Sequence, residues 1–166
     1  MPDTWKKSLT QTLSPDYRTC IIGVGSELRG DDSAGLLVSR ALWGRLPGNE
    51  HFLVLDGGPA PENLTSRVRK FHPERVLFVD AAHLDQPPGT IGWIPVEDID
   101  GMSASSHSLP LSMLAHFLKQ DLGCKVAVLG IQPEQNEVGE ALSPAVAEAV
   151  GEVVQEIEAV FTPACH

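Results

Sequence analysis

Positive charge is scarce in this chain: Lys and Arg number 12 against 22 Asp and Glu, for a formal net charge of −10 over 166 residues. Nucleic acid and anionic membrane surfaces are bound through basic faces, so this balance argues against both and favours a basic peptide or a metal cation as partner. Long hydrophobic runs are missing too. No apolar stretch approaches the roughly 18–20 residues of a membrane span, and the amino-terminal MPDTWKKSLTQTLSPDY is too polar for a signal peptide. Together these predict a cytoplasmic protein with no membrane insertion. Cysteine is sparse: Cys20, Cys124 and Cys165 are odd in number and widely spaced, and no C-x-x-C occurs. That pattern indicates neither a disulfide framework nor a zinc knuckle. Cys20 and Cys124 lie in apolar strand-like runs and read as small buried residues, and inside a strand the Cys20 thiolate is disfavoured. With no G-x-S-x-G elbow either, the sequence offers no obvious nucleophile.

What is present is an alternation of strands and helices. With 42% hydrophobic side chains over this length, one domain with a proper core is expected. Strand patterns cover Cys20–Val24, Phe52–Asp56, Arg75–Asp80, Thr90–Ile94 and Lys125–Ile131. The fourth belongs at a sheet edge because Pro95 ends it. Helical patterns run from Asp32 to about Leu46, with a stop near Pro47-Gly48, from about Glu62 to Lys70, and from Pro110 to Gly123. The last follows Ser143-Pro144, an N-cap and N1 pair, and carries the stripe Leu142, Val146, Val150, Val153, Ile157, Val160. The order predicts an α/β fold, a three-layer αβα sandwich around a mostly parallel twisted five-stranded sheet. Residues 1–18 read as a flexible extension, 19–162 as the domain and 163–166 as a tail.

The chemistry concentrates in CIIGVGSELRGDDSAG, Cys20 to Gly35. Gly23, Gly25 and Gly30 give G-x-G-x-x-x-x-G, which misses the dinucleotide fingerprint G-x-G-x-x-G. A pyrophosphate also needs the free N–H groups of a helix N-terminus, where Asp31 and Asp32 already stand. No nucleotide is therefore expected, and a small nucleotide-binding domain is the disfavoured alternative. Asp32 follows the first strand, Asp56 ends the second and Asp80 ends the third. Carboxyl ends of neighbouring strands form the ligand crevice of open α/β sheets, so three carboxylates converging there would collect a cation or raise a pKa. For a single strand-end Asp, capping a loop N–H is the commoner role. His107, in the small polar loop SASSHS, can cap the following helix or ligate a metal. Asp32, Asp80 and His107 together suit a divalent transition metal, with Asp31, Asp56 and His83 as supporting candidates.

GVGSELRGDDSAGLLV, DGGPAPEN, VLFVDAAHLDQPPGTIG, SSHSLPLSML and VLGIQPE, in this order, resemble the hydrogenase maturation endopeptidases, nearest the HycI-type branch that serves hydrogenase 3 of the formate hydrogenlyase system. The resemblance runs from about Cys20 to Phe161. It implies an endopeptidase that removes a carboxyl-terminal extension from a [NiFe] hydrogenase large-subunit precursor after nickel insertion. It further implies that Asp32, Asp80 and His107 contact the nickel and that the metal comes with the precursor rather than as a resident cofactor; as a working mechanism the same three residues carry catalysis, with a polarised water attacking the scissile amide. Many family members have Asn where this chain has Ser26 and Gly where it has Ser33, which bears on the geometry of the first loop. A non-hydrolytic nickel-binding chaperone in hydrogenase assembly would use the same three residues.

Overall fold

The computed structural model describes residues 4–46, 50–104, 109–134 and 139–162. His107, the helix stop at Pro47-Gly48 and the tail from residue 163 lie outside them. Five strands, β1 (Thr19–Val24), β2 (Phe52–Gly58), β3 (Arg75–Ala81), β4 (Ile91–Ile94) and β5 (Lys125–Ile131), form one sheet in the order β2-β1-β3-β5-β4. All neighbours are parallel except β4, which runs antiparallel to β5 at the edge. Pro95, directly after β4, lacks the N–H that would extend this short strand.

Successive side chains of a strand alternate between faces, and here both faces are covered. Ile21, Leu77, Val79 and Leu129 enter one core with α1 (Thr4–Thr12), α2 (Ala34–Arg45) and α6 (Pro144–Phe161). Cys20, Ile22, Val76, Phe78 and Val128 enter the other with α3 (Thr65–Phe71), α4 (Ile99–Met102) and α5 (Leu111–Leu122). A strand buried on both sides needs apolar residues at every position, which is why VLFV in β3 and VAVL in β5 show no polar alternation. The expected three-layer arrangement is the one observed. In α6 the stripe places Val146, Val150, Val153 and Ile157 in the first core, each apolar side chain contributing roughly 1.5–3 kcal/mol.

The amino-terminal segment differs from its expectation as an extension. Residues 4–12 form α1, and Trp5, Leu9 and Leu13 are buried in the α2–α6 core. These three recur every four residues, one helical face; the Lys, Ser, Thr and Gln residues between them make the segment read as polar overall. Lys6 reinforces the docking with an ion pair to Glu152 of α6 at 3.1 Å.

Two glycines set how closely α2 sits on the sheet. A Cβ on Gly35 would lie well inside 3.0 Å of the carbonyl oxygens of Val24 and Val79, the ends of β1 and β3. Gly25, at φ +140, turns the chain out of β1, and a Cβ there would strike the Asp32 carbonyl oxygen. The start of α2 is thereby held against the carboxyl ends of two adjacent strands.

Candidate functional site

Strand order reverses between β1 and β3: the chain passes from β1 outward to β2, then returns to β3 on the other side. Such a switch point opens a crevice at the carboxyl ends of the strands. Asp32 and Asp80 flank it. Asp32 sits in a 3₁₀ turn, Gly30–Ser33, that leads into α2 and packs against β3. Its N–H donates to Arg29 O at 3.0 Å. Asp80 belongs to β3, one residue beyond the Gly23–Val79 pair. Both carboxylates are buried, Asp32 at 2% and Asp80 at 0% exposure.

Alternation along β3 aims Asp80 at the α3–α4–α5 layer, on the side of Val76 and Phe78. There Ser103, just past α4, donates its hydroxyl to Asp80 Oδ2 at 2.7 Å. The 99–104 segment is bound to the end of β3 by backbone as well. Ala82 and Ser103 form an antiparallel bridge, His83 N–H donates to Met102 O at 2.6 Å, and Ala104 N–H donates to Ala81 O at 2.9 Å.

Asp31 is fully buried and turned another way. Its Oδ1 accepts the Ser143 N–H at 2.7 Å, and its Oδ2 accepts the Ser143 hydroxyl at 2.7 Å and the Glu134 N–H at 2.8 Å. Ser143 is the N-cap of α6, as expected, but its hydroxyl serves Asp31 rather than its own helix. The carboxylate also sits where a helix dipole favours negative charge. In a 3₁₀ turn successive side chains diverge by about 120°, so anchoring Asp31 to α6 sends Asp32 in a different direction.

Asp56 does not join the other carboxylates. It lies on the Phe52 and Val54 side of β2, facing α2, opposite to the side that Asp80 takes. Its Oδ2 accepts Arg40 Nε at 3.0 Å, and Arg40 Nη1 also donates to Glu27 Oε2 at 3.0 Å. These two hydrogen bonds raise the Arg40 pKa further above its ordinary value. His83 is exposed and lies beyond the end of β3, with its N–H bonded to Met102 O. The expectation of three strand-end carboxylates in one crevice thus loses Asp56, because a strand end fixes height along the sheet and not the face. His107 lies outside the described residues. Among the described residues no group of three His, Cys, Asp or Glu is placed to hold a metal ion.

Other residues of the quoted motifs prove to be fasteners. Gln132, in GIQPE, accepts the Leu84 N–H at 2.5 Å on Oε1, while its backbone pairs with Thr90 and Gly89. It ties the loop after β3 to the end of β5. Ser33 donates to Gly30 O at 2.7 Å, closing the acidic turn, and Ser26 Oγ accepts the Leu28 N–H at 3.4 Å. Ser103 went unnoticed in the sequence; the only signal was its place in a run of small polar residues before His107. Cys20 is wholly buried in β1, and burial, the largest cause, pushes its thiol up to about 12. A thiol held neutral inside the sheet is no nucleophile.

Residues 37–160 match the family model described as HycI, hydrogenase maturation protease. The hydrogenase 3 maturation protease of Escherichia coli K12 is 37% identical over 139 residues, 83% of this chain and 87% of that protein. The crystal structure of a [NiFe] hydrogenase maturation protease HycI from Thermococcus kodakarensis KOD1 superposes with a TM-score of 0.84 at 28% identity, covering 93% of this chain and 98% of that one. The solution structure of the endopeptidase HycI from Escherichia coli gives 0.75 at 35% identity, over 85% and 89% of the two chains.

Proposed function

The chain belongs to the HycI hydrogenase maturation protease family and is a peptidase, and we propose that it removes the carboxyl-terminal extension of a [NiFe] hydrogenase large-subunit precursor once nickel is in place. Nickel is then part of the substrate. Asp32 and Asp80 engage it from the crevice, with His107 as the third contact, and a water polarised there attacks the scissile amide carbonyl.

The observation that carries this reading is the placement of two buried carboxylates on either side of the β1–β3 switch point. Confined negative charge favours a cation, and oxygen donors with one imidazole suit a divalent transition metal. His107 is three residues past Ala104, whose N–H is bonded to Ala81 O beside Asp80. The acidic chain also favours a partner with basic segments. Among the described residues no helix is long and apolar enough to cross a membrane.

The test is mass spectrometry of a nickel-loaded precursor before and after incubation with this protein, beside a nickel-free precursor and the variants Asp32→Asn, Asp80→Asn and His107→Gln. The expected result is loss of a carboxyl-terminal peptide from the nickel-loaded precursor alone, and its loss with none of the three variants. Each is expected to cost more than the roughly 10–100-fold of removing an outer hydrogen bond of a metal site. Cleavage that persists in all three variants sinks the site assignment. An intact precursor held in a tight complex would make the protein a nickel-sensing chaperone toward that partner.

A further inference from the structure

We infer that Ser103 is a positioning residue for the cleavage reaction, holding the Asp80 carboxylate in the orientation that meets the nickel centre of the precursor; this rests on the role of Asp80 given above. The terminal torsion of an Asp side chain is broad and roughly two-fold, so burial alone leaves the direction of its two oxygens loosely set. A hydroxyl donating to Oδ2 at 2.7 Å restricts it.

The donor is itself immobilised. Ser103 N–H bonds to Ile99 O at 2.8 Å in the last turn of α4, and its backbone bridges to Ala82. The flanking bonds from His83 N–H to Met102 O and from Ala104 N–H to Ala81 O clamp the segment on both sides of the serine. A side chain held by backbone on a separate segment transmits position accurately, whereas the same hydroxyl on a loose loop would follow the carboxylate.

A merely structural role, satisfying a buried carboxylate, would appear in stability and not in catalysis. The matched pair Ser103→Thr and Ser103→Val separates the two, since both have the same shape and only Thr keeps the hydroxyl; Ser103→Ala guards against failure of the branched variants to fold. Thermal midpoints are measured together with kcat and KM on the nickel-loaded precursor, with Asp80→Asn alongside. The expected result is a roughly 10–100-fold fall in kcat/KM for the Val and Ala variants, carried mainly by KM, with Thr close to the unsubstituted protein. Binding of the nickel-free precursor is expected to stay unchanged in all three. Val and Ala variants that cleave normally while Asp80→Asn is inactive would overturn the positioning role alone, as would equal losses in Thr and Val. Normal cleavage by Asp80→Asn, or no cleavage by the unsubstituted protein, would overturn the function proposed for the site and this inference with it.

Discussion

Asp31 and Ser143, 112 positions apart in sequence, are joined by two hydrogen bonds of 2.7 Å, one from the Ser143 N–H and one from its hydroxyl. A third bond, from the Glu134 N–H, fills the same carboxylate. This residue fastens the turn that carries Asp32 to the end of the β5 loop and the start of α6. Asp31→Ala strands two backbone N–H donors and a hydroxyl, each unsatisfied buried group costing about 1–3 kcal/mol. The expected loss is at least about 3 kcal/mol in urea unfolding, with Asp31→Asn intermediate because its carbonyl oxygen still accepts. An Asp31→Ala variant as stable as the original would refute the anchoring role.

Glycines along α2 and α6 make a sharper test of packing. Gly35→Ala places a methyl group against two strand carbonyls, neither of which can rotate aside, so a cost of about 3 kcal/mol or more is expected. At Gly44 of α2 and Gly151 of α6, by contrast, nothing lies within 4 Å of an added Cβ. Ala at either is expected to stabilise by about 0.5–1 kcal/mol through helix propensity and a less free unfolded chain. Thermal midpoints of the three variants check the difference in sign.

The docked α1 is testable through Leu9, which is completely buried. Leu9→Ala is expected to cost about 2–5 kcal/mol, and hydrogen exchange should find the amides of residues 8–12 protected. Loss of less than about 0.5 kcal/mol, the range of surface substitutions, would return the segment to a loose extension.

Cys20 makes stability depend on alkaline pH. Its thiol is raised from 9.0 to about 12 by burial, so between these values the unfolded chain releases a proton that the folded chain retains. Stability contributed by the neutral thiol is complete below pH 9 and falls as pH rises toward 12, by at most about 1.4 kcal/mol per pH unit. Cys20→Ala is expected to flatten denaturation midpoints measured from pH 8.5 to 10.5. Cys124, whose thiol burial also raises, adds in the same direction, so the Cys20→Ala curve keeps a residual slope.

Much of the architecture was legible in the sequence because it follows from local repeats. β5 was read to the residue, and β4 was placed at the edge by Pro95. The stripe of α6 and the Ser143-Pro144 start were equally plain. α1 was missed although its signal was present, since Trp5, Leu9 and Leu13 stand alone among polar residues. Asp32 was placed as the first turn of α2, whereas the chain winds as a 3₁₀ turn from Gly30 to Ser33 before the helix begins.

The sequence by itself determined the five strands and the longer helices that follow them, that both sheet faces are covered, and that carboxylates stand at or just beyond strand ends. Periodicity and turn chemistry are properties of neighbouring residues, and a single chain carries them complete. The tertiary structure decided which acid does what. Asp31, Asp32, Asp56 and Asp80 are alike in sequence, yet Asp31 is fastened to α6, Asp56 to Arg40 and Asp80 to Ser103. Those assignments depend on partners 16 to 112 positions away and on the face that each strand presents. A one-residue change in where a strand ends reverses that face, and only the packed sheet settles it.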